Sequence, residues 1–175
     1  KRVWSEVWDA AQFCMENPGH SRAAGRAMYV YDNDYMGGTL FAVLPCGRAL
    51  LYPRIRWENR ETKDRATGAV VEKMQLTYRR GRGRAVLWVG VLVENLVQAF
   101  AGSLLRHALW RLDKEMPEAV IAHTHDEIIC MCKDEDAVSV RARLEALMKE
   151  PPEWAEGLPL SAESVVCPYY SKTVD

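Results

Sequence analysis

Apolar residues recur at helical spacing from the start of the chain. In VWSEVWDAAQFCMEN, Val3 or Trp4, Val7 or Trp8, Ala11, and Cys14 or Met15 fall on one side of a helix, and Asn17-Pro18-Gly19 stops it. The rhythm then changes. RAMYVYD, GTLFAVLP and RALLYP are short apolar runs separated by NDYMG and PCG, so residues 26–53 are expected to form three short antiparallel strands. The stretch 54–84 contains Gly68, Gly81 and Gly83 and reads as an extended, partly stranded arm. Helical spacing returns from about Leu92 to Lys114, where Val93, Leu96 or Val97, Phe100, Leu104, Ala108 and Leu112 form the expected buried stripe. At about 100° per residue, Asn95, Gln98, Gly102 and Arg106 gather on the opposite side, a polar face with bare backbone in its middle. AVIAHT and IICMC predict two strands joined through His125, Asp126 and Glu127, which sets this triplet at the tip of a β-hairpin. Asp134 is expected to cap a last helix, with Glu135 and Asp136 in its first turn and Pro151-Pro152 at its end. The order is that of an α+β protein, antiparallel strands with helices packed on one face.

At 175 residues the chain has room for one sizeable core. Within one compact unit the pattern divides at 85/86, into helix, strands and basic arm (1–85) and long helix with hairpin (86–175). A net charge of -1 argues against a polycation that simply coats nucleic acid, but the charge is uneven. Between 48 and 84, eleven basic residues face four acidic ones, whereas the part after Leu112 is acidic. Arg48, Arg54 and Arg84 belong to this basic stretch and are candidate contacts to a phosphate backbone. Five cysteines without a C-x-x-C pair fit a reduced, cytoplasmic setting. No uninterrupted apolar run approaches the ~18 residues of a membrane span, and no membrane partner is expected.

Three chemistries compete for His125-Asp126-Glu127. A solvated turn needs polar residues and nothing more. A zinc hydrolase could use His123-x-His125, whose side chains would share a face on a strand, but only His20 and His107 remain to supply a third imidazole. A magnesium site would use the hard carboxylate oxygens of Asp126 and Glu127 for phosphoryl chemistry.

The flanking sequence favours the third. LVENLVQAFAGSLLRHALWRL, followed after a short gap by AHTHDEIICMC, resembles the C-terminal part of family A (DNA polymerase I-like) DNA polymerases, especially the bacteriophage and prophage branch. The resemblance extends through LPCGRALLYPR upstream and EPPEWAEGLPLSAE downstream. It implies the fingers-to-palm portion of such an enzyme: an antiparallel palm-type sheet with a catalytic β-hairpin, packed against helices. By the same resemblance Asp126 matches the second catalytic aspartate, a ligand of the Mg²⁺ or Mn²⁺ ions of a two-metal nucleotidyl transfer, and Glu127 matches its supporting carboxylate. His125 matches the residue that positions the primer terminus. Gln98 and Asn95 match helix residues that touch the minor groove near the terminal base pair, on the face that also carries Arg106. Primer-template DNA and dNTP are the implied partners, in the cytoplasm of a bacterial or phage-infected cell.

The chain also departs from the family pattern. The first palm aspartate and the fingers helix that holds the triphosphate lie upstream of the matched region, so a missing N-terminal polymerase part would have to act in cis or in trans. Residues 1–175 alone are accordingly expected to bind Mg²⁺ weakly and not to extend a primer. Asp34-Tyr35 imitates the first aspartate, but sits in a turn without the glutamate that follows in the family. Val91 stands where a basic residue is expected, and Ser103 where the phage branch has aspartate. Trp88, Trp110, Trp154, Tyr169 and Tyr170 read as packing residues. A palm remnant without catalysis, kept as a DNA- or protein-binding module, is the alternative.

Overall fold

The computed structural model describes residues 2–64 and 66–170. Arg65 of the basic arm lies outside the described residues. The chain is α+β with antiparallel sheets, and it forms two compact units, 1–99 and 100–175. The sequence reading instead placed its division at 85/86 within one unit.

In the first unit, helix α1 (Arg2–Glu16) buries Val7, Ala10, Ala11 and Cys14, while Val3 and Trp4 at its start stay exposed. The apolar stripe therefore begins one turn later than its spacing suggests. A four-stranded antiparallel sheet lies against this helix, with β1 (Ser21–Ala24), β2 (Ala27–Asp32), β3 (Thr39–Val43) and β4 (Ala49–Pro53) in chain order. Alternation sends Tyr29, Leu40, Ala42 and Tyr52 into the core shared with α1. Strands β2 to β4 are the three expected from the sequence. The fourth, β1, has the sequence SRAA and no apolar run, and it exists because Gly25-Arg26 turns it back onto β2 with Ala24 opposite Ala27.

Asp34-Tyr35 falls in the connection between β2 and β3, where Asp32 Oδ1 accepts the backbone N–H groups of Asp34 (2.8 Å) and Tyr35 (3.0 Å). Gly38 closes that turn at φ +90°, where a Cβ would collide with the Tyr31 hydroxyl. The arm is a three-stranded sheet of β5 (Arg56–Lys63), β6 (Val70–Arg80) and β7 (Gly83–Val86), more regular than its composition foretells. Leu76 and Tyr78 anchor it in the first core.

Helix α2 (Val89–Glu115) contributes residues to both units. The expected stripe is covered along it: Val93, Leu96, Phe100, Leu104, Ala108 and Leu112 are all buried or half-buried. In the first unit Leu92 is fully buried with Val93 and Leu96 packed beside it, and in the second Ala108 and Leu112 are buried. Val97, one of the expected stripe positions, is 61 % exposed, whereas Ser103 is buried. Periodicity therefore gave the covered side, while packing added Leu92 and Ser103 to it and chose Leu96 over Val97. By length and composition α2 would also pass as a membrane span, which corrects the expectation that nothing approaches one.

The second unit is built on Leu112, Leu144 and Leu147. Strands β8 (Val120–Thr124) and β9 (Glu127–Cys130) form an antiparallel hairpin, and α3 (Ala137–Lys149) follows it. Asp134 lies in a short 3₁₀ turn rather than capping α3, whose first residue follows Asp136, and Asp136 makes no side-chain cap. Arg143 Nε donates to Glu115 Oε2 at 2.6 Å and Arg111 pairs with Glu150 at 2.6 Å, tying α3 to α2 within this unit.

Candidate active site

Val120, Ile128 and Cys130 lie on the face of the hairpin that packs against the Leu112, Leu144 and Leu147 core. Packing on one side and a two-residue turn at the other end fix where the tip stands. His125 and Asp126 form that turn, with Thr124 opposite Glu127. His125 takes a left-handed φ of 52°, a conformation that His, like Asn and Asp, adopts more readily than most residues. It is therefore a turn residue and not a strand residue, so His123 and His125 do not form the one-face pair that the zinc reading required. Among the described residues, no three His, Cys, Asp or Glu side chains come together as a metal-holding group.

His125, Asp126 and Glu127 are all exposed. Glu127 opens β9, and its Oε2 accepts a hydrogen bond from the Tyr170 hydroxyl at 3.0 Å. That bond, with smaller contributions from burial and from the carboxylate charge, holds the Tyr170 phenol above its ordinary value. Tyr170 is thus a neighbour of the candidate carboxylates and not a packing residue. Trp88, Trp110 and Tyr169 are more than half exposed as well, while Trp154 meets Phe100 edge-on at 5.4 Å.

The other candidates lie in different settings. In the first unit, the Asn95 amide donates to the Tyr52 hydroxyl at 3.3 Å, and Tyr52 is buried. Gln98 is exposed and its amide donates to Glu94 at 3.2 Å. Asn95 is therefore committed to the core side, whereas Gln98 faces solvent. Val91, where a basic residue was expected, packs against the same core. Arg106, in the second unit, is exposed. Arg48 and Arg54 are exposed too, Arg54 at φ 50° with its Nε donating to Met36 O at 3.4 Å.

Arg84 differs from the other arginines. Its side chain is 19 % exposed, and it donates to Glu58 (3.1 Å), to the Thr77 hydroxyl (2.7 Å) and to Arg54 O (2.8 Å). Its guanidinium is occupied as a cross-strand clasp, which weakens its assignment as a direct DNA contact. Sequence reasoning missed Tyr170, Glu58 and Tyr52. Their partners lie 43, 26 and 43 residues away, beyond the reach of any local pattern.

Over 142 residues the chain is 37 % identical to a protein named DNA polymerase from Bacillus phage SP02. That relative is a phage enzyme by name. The match covers 79 % of this chain and 20 % of the relative, so the chain spans about a fifth of the length of the protein it matches. A continuous match of that extent cannot avoid the middle of the chain, and α2 and the β8–β9 hairpin lie within it. No family model and no solved structure matches the chain.

The segment that brings Tyr170 to Glu127 is fastened at Glu145. The Glu145 carboxylate accepts the Ser164 hydroxyl (2.6 Å) and N–H (3.1 Å), Lys149 (3.0 Å) and Arg141 (3.4 Å), and these partners lower its pKa from 4.5 to about 2. A depressed carboxyl stabilises the folded form above its ordinary range, and that contribution disappears as pH falls from about 4.5 towards 2. Carbon-detected NMR titration should find Glu145 midway near 2, with the Ser164 amide losing exchange protection over the same window. Glu145→Gln should loosen residues 158–170 at neutral pH, and an unchanged Ser164 amide would contradict this fastening.

Proposed function

We propose that the chain is the fingers-to-palm portion of a phage-type family A DNA polymerase, contributing Asp126 and Glu127 to a template-directed nucleotidyl transfer. What carries the reading is one observation. Two adjacent carboxylates stand exposed at the tip of a core-backed, two-residue hairpin, inside a stretch that matches a phage DNA polymerase.

The donor set fits a hard cation in kind, since carboxylate oxygens suit Mg²⁺ and Mn²⁺ better than zinc. It fits in number only as part of a larger shell, because Mg²⁺ is commonly held by one or two carboxylates completed by water and substrate phosphates. Asp126 would be the direct ligand, with Glu127 beside it. Bound there, the ion would supply charge neutralisation at the attacking and leaving oxygens of an in-line displacement. The residues of the chain do the placing. The turn sets Asp126 beyond the sheet edge where DNA can approach, Tyr170 orients Glu127 through its hydroxyl, and His125 offers a nitrogen donor to the primer strand. Gln98 is free of the core, and by the resemblance its amide would probe minor-groove acceptors, which vary little with sequence. Primer-template DNA and dNTP are the partners of the whole enzyme, in the cytoplasm of a bacterial or infected cell, with the rest of the polymerase supplied in cis or in trans.

Paramagnetic broadening by Mn²⁺ tests this on residues 1–175. Amide signals of residues 125–127 should broaden at millimolar Mn²⁺, recover with excess Mg²⁺, and stay sharp in Asp126→Asn. Zinc copurifying at one equivalent and lost in His125→Ala would overturn the reading, as would Mn²⁺ broadening centred elsewhere.

A further inference from the structure

The β5–β6–β7 sheet has two chemically different faces. Residues directly opposite in an antiparallel pair share a face, and residues along a strand alternate. The register sets Arg56 opposite Thr77, Arg60 opposite Lys73, and Arg79 opposite Arg84, all on one face. That face carries five cations and one acid, Glu58. The other carries Leu76 and Tyr78 into the core, and beyond them Glu61, Glu72, Lys63 and Arg80, two charges of each sign. Charge along this ribbon is therefore sorted by side and not merely by sequence.

Two features say that the sorting serves something outside the chain. Arg60 and Lys73 are a like-charged pair facing each other across strands, as are Arg79 and Arg84, an arrangement that weakens a sheet when nothing compensates it. Glu58 compensates only part of it. Its carboxylate accepts Arg56 at 2.7 Å, Arg84 at 3.1 Å and the Thr77 hydroxyl at 2.9 Å, which holds it below the usual carboxylate range and keeps it charged. Arg60 and Arg79 stay exposed, Arg79 with its Nε donating to Gly81 O at 2.9 Å, and Lys73 lies 3.9 Å from Asp64. An open depression on this face is lined by Arg56, Glu58, Arg60 and Arg84, with Asn59 of the same strand at its side. From Lys73 to Arg79 the face extends about 20 Å, long enough to run beside several phosphates of a nucleic-acid strand.

We propose that this face of the β5–β6–β7 ribbon is a sequence-independent binding surface for the phosphate backbone of DNA, with the Glu58 clasp fixing Arg56 and Arg84 and with Arg60, Lys73 and Arg79 making the contacts. The choice of DNA among polyanions rests on the polymerase reading, whereas the sidedness rests on the register alone. The contacts are to the backbone and read no bases.

Fluorescence anisotropy with a labelled random-sequence duplex and residues 1–175 tests the proposal, using two variants with the same change in net charge. Arg60→Glu acts on the cationic face, and Lys63→Glu acts three residues along the same strand on the other. Arg60→Glu also creates an opposite-charge pair with Lys73, so lost binding would not reflect a weakened sheet. Arg60→Glu is expected to raise the Kd on the order of tenfold and to lower the slope of log K against log salt by about one, while Lys63→Glu stays within about twofold. Equal losses in the two variants would overturn the proposal, as would no detectable binding by the unaltered chain, or competition by polyglutamate as strong as that by DNA. Those failures leave Mn²⁺ binding at Asp126 untouched, so they are separate from a failure of the polymerase reading.

Discussion

Asp126→Ala should lower nucleotide incorporation about a thousandfold when the chain is completed as an enzyme, for example by replacing its counterpart in the Bacillus phage SP02 polymerase. A metal ligand at the reacting phosphate contributes several kcal/mol of charge stabilisation in the transition state, and each 1.36 kcal/mol is about tenfold in rate. Removing one direct ligand of about 4 kcal/mol gives that figure, and the loss should fall on kcat with little change in the KM for DNA. Glu127→Gln should cost less, about tenfold, because the residue stands beside the ligand position and keeps its Tyr170 partner as an amide. Tyr170→Phe should move in the same direction by a smaller factor, since it removes the hydrogen bond that orients Glu127 while leaving the carboxylate charge in place. Single-turnover incorporation separates these effects. More than a tenth of the activity remaining in Asp126→Ala would sink the assignment.

The second large effect is structural and bears on the same tip. Leu112 is fully buried in a small core whose other buried members, among the described residues, are Leu144 and Leu147. Leu112→Ala should cost about 3 kcal/mol, within the range of about 2–5 seen for buried leucines, since so small a core has few neighbours able to close over the cavity. The consequence should be local. Val120, Ile128 and Cys130 pack against Leu112 and its partners, so β8 and β9 should lose amide protection while β2, β3 and β4, which have a core of their own, keep theirs. Hydrogen exchange followed residue by residue reads this directly. Uniform loss across both units would show that they unfold as one. With the hairpin loosened, Mn²⁺ broadening at Asp126 should fade as well, because the tip would no longer be held in one geometry.

Local physics made a good part of the protein legible in its sequence. Alternating apolar runs broken by Asn, Asp and Gly gave β2, β3 and β4, and helical spacing gave α1. His125, Asp126 and Glu127 between two apolar runs gave a hairpin with the triplet at its tip, although Glu127 is the first residue of β9 and the turn itself is His125-Asp126. Each of these depends on residues within a few positions of one another, where backbone preference and side-chain alternation act directly. The use of Arg84 and the partner of Glu127 were decided only in the tertiary structure. On α2 the helical spacing gave Ala108 and Leu112 as covered, and packing added Leu92 and chose Leu96 over Val97. Arg84 looked like one more candidate phosphate contact until the β6–β7 turn brought it over Glu58 and Thr77. Tyr170 reaches Glu127 across 43 residues because Glu145 fastens the intervening segment at Ser164. A chain can encode such pairings only through the whole fold, since the contact forms after every element between the partners has been placed.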